Sequence, residues 1–139
     1  MTIKGRCINP GAKTAPAIVT SQLFGFWGGV DTKTGVIIDK RHELCGQKIK
    51  DKVFVFPEGR GSTVGAAIIL ELVRCNNAPA AIVNIKTEGI LAAGAIIAAK
   101  LYNVTIPVVD GLSREEFESI KNGDMVTVNA TTGEIKIGG

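Results

Sequence analysis

Hydrophobic and polar positions are distributed differently in the two halves of the chain. In the first half the apolar stretches are short, and residues 3–8, 17–20 and 36–38 read as strands. Turn signals separate them at Asn9-Pro10-Gly11, Gly28-Gly29 and Thr34-Gly35. In the second half, Val53-Phe54-Val55-Phe56 is a continuous apolar run, the pattern of a strand buried on both faces. Across residues 63–75, Val64, Ala67, Ile68 and Leu72 recur at helical spacing, and Ile69 and Leu70 widen the apolar face. Residues 80–83 then predict a strand, 89–101 an Ala/Ile-rich helix and 106–109 another strand. Ser113 and Glu116 stand at the spacing of a capping box, which predicts a short helix running through Ile120. Residues 124–129 and 134–137, separated by Thr131-Thr132-Gly133, predict a closing hairpin. Strands alternating with helices, flanked by β segments, predict an α/β domain with a partly parallel central sheet.

A length of 139 residues suits one hydrophobic core, so residues 1–139 are expected to form a single domain. Hydrophobic residues at 45% against 21% charged argue against extended disorder. The net charge of +3 is spread along the chain, with no basic stripe or interleaved aromatics, which argues against nucleic acid as a partner. The longest strongly apolar run, residues 90–99, is short of the about 20 residues a membrane span needs. Met1-Thr2-Ile3-Lys4-Gly5 lacks the features of a secretory signal. Three widely spaced cysteines, Cys7, Cys45 and Cys75, offer no metal-ligand spacing and are expected as buried small hydrophobes in a reducing cytoplasm. The helix at 89–101 is apolar almost all round, which predicts full burial. Phe24, Phe26 and Trp27, set among glycines, are expected to be partly buried.

One segment points at chemistry. Strand, glycine-rich turn and helix together present backbone N–H groups and a positive helix end to an anion. Here the turn is Pro57-Glu58-Gly59-Arg60-Gly61-Ser62-Thr63. Its glycines permit close approach of a ligand, Arg60 offers a fork of donors to carboxylate or phosphate, and Ser62 sits where an N-cap would. A plain capped turn is the competing explanation. No Lys precedes Ser62, so this is not a Walker A loop, and Ser62 directly follows Gly61, so it is not a nucleophile elbow. A dinucleotide fingerprint fails at Val64, since Gly65 comes one position late.

The stretch Val55-Phe56-Pro57-Glu58-Gly59-Arg60-Gly61-Ser62-Thr63 is followed by Leu70-Glu71-Leu72, Ala78-Pro79-Ala80-Ala81-Ile82 and Ile90-Leu91-Ala92-Ala93-Gly94-Ala95-Ile96. Together these motifs resemble the small subunit, or swivel domain, of the aconitase X family, over nearly the whole chain. Asp31-Thr32-Lys33-Thr34-Gly35-Val36-Ile37 and Asp39-x-x-His42 match as well. The resemblance implies a swivelling β/β/α domain that docks on a large catalytic subunit, as a heterodimer or higher assembly. It implies an iron–sulfur cluster, 4Fe–4S, carried by that partner and none bound by this chain. Short, free-standing archaeal members imply dehydration of (R)-5-phosphomevalonate to trans-anhydromevalonate 5-phosphate, a phosphorylated small-molecule substrate; other relatives dehydrate cis-3-hydroxy-L-proline. The serine of the family's Gly-Arg-Gly-Ser motif, here Ser62, is implied as the catalytic base.

The turn's chemistry suits that role. A serine acts as a base only if positive potential stabilises its alkoxide, and Arg60 and the helix start near Thr63 would supply it. Arg60, Gly61 and Thr63 are therefore candidate substrate-binding residues. His42, within Asp39-Lys40-Arg41-His42-Glu43, reads either as a group at the mouth of the site or as a solvated loop histidine, and its charged neighbours favour the latter. Asp31, Asp39 and Glu88 are candidates for the site rim or the subunit interface, with solvated surface as the plainer reading. A phosphate carrier acting through His42, or a non-enzymatic anion-binding module, are the alternatives from other classes.

Overall fold

The computed structural model of the chain describes residues 1–60 and 64–138. Its elements are β1 (Thr2–Lys4), β2 (Arg6–Asn9), β3 (Ala12–Val19), β4 (Val53–Val55), α1 (Gly65–Arg74), β5 (Ala81–Val83), α2 (Gly89–Tyr102), β6 (Val108–Asp110), α3 (Arg114–Glu118), β7 (Met125–Asn129) and β8 (Glu134–Ile137). The strands form one sheet in the order β1-β8-β7-β3-β4-β5-β6-β2. The middle strands β3, β4, β5 and β6 run parallel, β4 to β6 joined through α1 and α2 and β3 to β4 through residues 20–52, while the remaining pairs are antiparallel. The α/β fold with a partly parallel centre is the one the sequence predicts.

The two edge strands of this sheet are consecutive in the chain, separated only by Gly5. The sheet therefore bends round until it is nearly a barrel. The stretch predicted as one strand over residues 3–8 is divided at Gly5 between two pairing partners, β8 and β6. A Cβ at Gly5 would lie 2.5 Å from Val109 Cγ1 and 2.6 Å from the Asp110 carbonyl, so only glycine fits this seam. Its N–H donates to the Gly133 carbonyl at 2.7 Å. β3 likewise serves both halves, pairing with β7 through residues 12–16 and with β4 through residues 17–19.

This geometry explains the continuous apolar runs. Phe54, Ile82 and Val108 point to one core, shared with Ile69 and Leu72 of α1 and Leu91, Ala95 and Ala98 of α2. Their neighbours Val53, Val55, Ala81, Val83 and Val109 point to a second core, closed by Phe117, Val126, Val128 and Ile135. Side chains still alternate between faces, but both faces are buried, so no polar residue marks the period. α1 and α2 pack closely at Gly94, where a Cβ would come 3.2 Å from Ala66 Cα. The capping box of α3 is present in both directions, with Glu116 N–H donating to Ser113 Oγ at 3.1 Å and Ser113 N–H to Glu116 Oε1 at 2.9 Å. The closing hairpin β7–β8 also forms as predicted.

Other expectations give way. Residues 36–38 make only isolated bridges, Val36 to Lys48 and Val30 to Ile37, within a looped segment. α1 starts at Gly65, and its N-cap position is Val64 rather than Ser62. α2 buries one face only: Ile96, Ile97, Leu101 and Tyr102 are exposed, because one layer of sheet and α1 covers one side of the helix. The cysteines are not core residues either. Cys7 and Cys45 are exposed and Cys75 is half-buried, on the edge strand β2, in a turn and at the end of α1. Phe24 and Phe26 are buried while Trp27 is exposed, the partial burial expected of that segment. Among the described residues, no helix is long and apolar enough to cross a membrane.

Candidate active site

β4 leads through buried Phe56 into Pro57-Glu58-Gly59-Arg60, and the turn is fixed from below by the loop after β5. Asn84, fully buried, donates from Nδ2 to the Phe56 carbonyl at 2.8 Å. The Pro57 carbonyl accepts the N–H groups of Ile85 and Lys86, at 3.0 and 3.2 Å. Thr87 then links the loop to Asp110: its hydroxyl donates to Asn84 Oδ1 at 3.1 Å, and its N–H to Asp110 Oδ2 at 2.8 Å. Arg6 completes the group with two hydrogen bonds to the Asp110 carboxylate, at 2.9 and 3.0 Å. Burial alone would raise the Asp110 carboxyl; the bonds from Arg6 and the Thr87 N–H outweigh it and hold it below the ordinary aspartate range. Glu88 is used structurally, not as a solvated rim residue. It caps α2 by accepting Ile90 N–H at 2.8 Å and Leu91 N–H at 3.1 Å.

From the other side the turn is held by the segment before the aromatic loop. Phe24 N–H donates to the Glu58 carbonyl at 3.3 Å, and Arg60 N–H to the Phe24 carbonyl at 3.1 Å, as in a short parallel ladder. The Phe24 ring anchors this segment in an edge-on cluster with Phe26, Phe54 and Phe56. Arg60 thereby projects its side chain over Gly25 into the open, and it makes no ion pair among the described residues.

His42 reaches the same place. Its N–H donates to the Asp39 carbonyl, closing a turn in which Asp39 Oδ1 accepts Arg41 N–H, both at 3.0 Å. The ring leaves its charged neighbours and packs edge-on against Phe24, centroids 5.6 Å apart, leaving His42 only 7% exposed. The solvated reading of His42 is thus wrong. Its neighbours keep their charges outside while the ring turns inward to an aromatic cluster that is distant in sequence. Nδ1 accepts Leu44 N–H at 3.1 Å, which leaves the ring proton on Nε2. Nε2 is buried and has no hydrogen-bond partner among the described residues. An unpaired buried donor costs about 1–3 kcal/mol, so native structures rarely leave one without a use.

Gln22, Leu23, Asp39, Arg41, His42 and Arg60 line one cleft of about 370 Å³. Its charges are two guanidinium groups against one carboxylate, with Asp39 Oδ1 4.0 Å from Arg41 Nε. Such a lining is chemically suited to a carboxylate or a phosphoryl group. Gln22 is held in place by accepting Glu43 N–H at 2.9 Å, and the Glu43 carboxylate takes the Thr20 hydroxyl. Of the residues singled out from sequence, the structure brings Arg60, Asp39 and His42 together. Asp31 stays in its own turn, accepting Lys33 N–H at 3.0 Å. Gly61, Ser62 and Thr63 lie outside the described residues. Gln22 and Arg41 were missed, and the one signal for Arg41 was its place inside Asp39-x-x-His42. The phosphate-carrier reading fits poorly, since Nδ1 is engaged by the Leu44 N–H and the ring is packed edge-on against Phe24. Among the described residues, no group of three or more His, Cys, Asp or Glu side chains is placed to hold a metal ion, so no step of the chemistry is assigned to a metal held by this chain.

The fold defines an α/β domain with a nearly closed sheet and a cleft lined by two arginines, and comparison with known proteins gives its family. The family model described as the aconitase X swivel domain matches residues 2–137, and the chain belongs to that family. A protein of Methanocella arvoryzae named phosphomevalonate dehydratase small subunit is 47% identical over 137 residues, 99% of each chain. One of the same name from Methanosarcina acetivorans is 42% identical, over 97% of this chain and 90% of the relative. The crystal structure of Thermococcus kodakaraensis aconitase X, in its holo-form, superposes with a TM-score of 0.90 at 40% identity, covering 99% of this chain and 98% of that one.

Proposed function

We propose that this chain is the small subunit of a two-subunit hydro-lyase that dehydrates (R)-5-phosphomevalonate to trans-anhydromevalonate 5-phosphate in archaeal isoprenoid synthesis. The observation that carries this reading is near-full-length identity to proteins named phosphomevalonate dehydratase small subunit. The exposed arginine of the Gly-Arg-Gly-Ser turn, at a cleft suited to anions, supports it independently. In this reading the whole chain is one swivel domain, working in the cytoplasm on a large subunit that carries an iron–sulfur cluster. That cluster supplies the Lewis acidity for the departing hydroxide.

This chain supplies the proton chemistry. Ser62 takes the proton from the carbon beside the carboxylate, Arg60 orients the substrate anion, and Gly61 and Thr63 donate hydrogen bonds to it. The start of α1 contributes about 0.3–1 kcal/mol of favourable potential at a surface and up to ~2 kcal/mol when partly buried. That is too little to hold an alkoxide alone. Arg60 and the exclusion of water on docking provide the remainder.

Ser62→Ala in the assembled complex tests the assignment. A positioned base is worth about 10²–10⁴-fold in rate. A loss of that size with unchanged assembly by size-exclusion chromatography is expected; full activity would overturn it.

A further inference from the structure

We propose that the cleft of Gln22, Asp39, Arg41, His42 and Arg60 is an oxyanion subsite, with the buried His42 Nε2–H as its fixed donor and the two guanidinium groups as its charge. That the oxyanion belongs to a hydroxy-acid substrate rests on the function proposed above; that the cleft binds an oxyanion does not.

Three observations converge on it. His42 is held rigidly, by Leu44 N–H on Nδ1 and by Phe24 against its ring, so the direction of Nε2–H is set before any ligand arrives. Among the described residues that donor is buried and unpaired, and two acceptors of the same cleft are engaged elsewhere: Gln22 Oε1 accepts Glu43 N–H and Asp39 Oδ1 accepts Arg41 N–H. Arg60 enters from the turn that carries Ser62 and makes no ion pair among the described residues. A neutral N–H donor on a residue that shares a cleft with two guanidinium forks suits an anion with several acceptor oxygens. The Asp39 carboxylate opposes this, but it is committed to the Arg41 backbone and lies within ion-pair distance of the Arg41 side chain, so it orients that arginine. A phosphoryl and a carboxylate group share the required chemistry. The subsite would hold one anionic end of the substrate.

His42 is the only histidine, so its ring gives a single imidazole signal pair in a ¹⁵N-labelled full chain. We would titrate that chain with inorganic phosphate, and separately with acetate, at constant pH and with ionic strength matched by sodium chloride. The ring should show the Nε2–H tautomer before titration. Its signals should then shift saturably with phosphate if the subsite takes a phosphoryl group, or with acetate if it takes a carboxylate. Arg60→Gln, a change at an exposed position, should weaken that binding about tenfold or more. A merely linear drift with both probes, or unaltered binding in Arg60→Gln, would overturn the proposal. Ser62→Ala should bind as the wild type does, so loss of the anion site and loss of the base assignment remain separate results.

Discussion

Asp110 and His42 are both buried polar side chains close to the same turn, yet they are treated in opposite ways. Asp110 is 0% exposed and receives two bonds from Arg6 and one from the Thr87 N–H. Through Thr87 and Asn84 it continues into the carbonyl of Phe56, so the floor beneath the turn is a closed hydrogen-bond network. Among the described residues, His42 has its Nδ1 satisfied and its Nε2 left over. The floor is built to be rigid in the isolated chain. The cleft keeps one donor unpaired among the described residues, which fits the proposed half-site. Floor and cleft should therefore fail differently when altered: floor changes should lower stability, and cleft changes should lower binding or turnover while the fold persists.

The largest effect belongs to the cleft side. Ser62→Ala should cost the complex about 10²–10⁴-fold in kcat, with a denaturation midpoint close to that of the wild-type chain. The next belongs to the floor, where Gly5 backs directly onto the Asp110 carbonyl and Val109. A methyl group there meets backbone at 2.6 Å, and Gly5→Ala should cost about 3 kcal/mol in denaturant unfolding, at the upper end for overpacking. Asp110→Ala leaves the Thr87 N–H unpaired and should cost about 1–3 kcal/mol while leaving phosphate binding unchanged. This carboxyl also sets a pH dependence. Its native-state pKa lies below the unfolded value of about 3.9, so its stabilisation is present above that pH and fades as pH falls through the native value. Asp110→Asn should therefore flatten the acid limb of the stability curve. The smallest effect closes the comparison: Arg60→Gln should shift stability by no more than about 0.5 kcal/mol despite its effect on anion binding. An Arg60 variant as unstable as Asp110→Ala would break the distinction.

The parts of this fold that were legible in the sequence are those whose signal is local. β4, β5 and the α3 capping box depend on a few adjacent residues, and each is found where it is predicted. What was missed depends on contacts distant in sequence. Nothing within residues 3–8 says that strand partners change at Gly5, because the reason is a carbonyl and a valine over 100 positions away. β3 was read only over 17–20, since Lys13 and Thr14 lie on an exposed surface and Pro16 interrupts the apolar pattern. The exposed face of α2 could not be inferred from an apolar helix, which is equally compatible with one covering layer or two. At the site, the glycine-rich turn and Arg60 were recognisable as a motif. His42 was misjudged because its neighbours in sequence are charged, whereas its neighbour in space is Phe24.

Whether this chain is one half of a dehydratase is decided by mixing the purified chain anaerobically with the large subunit from the same organism and assaying (R)-5-phosphomevalonate. Water loss is expected only when both chains are present, with neither active alone. Equal turnover by the large subunit without this chain would contradict it.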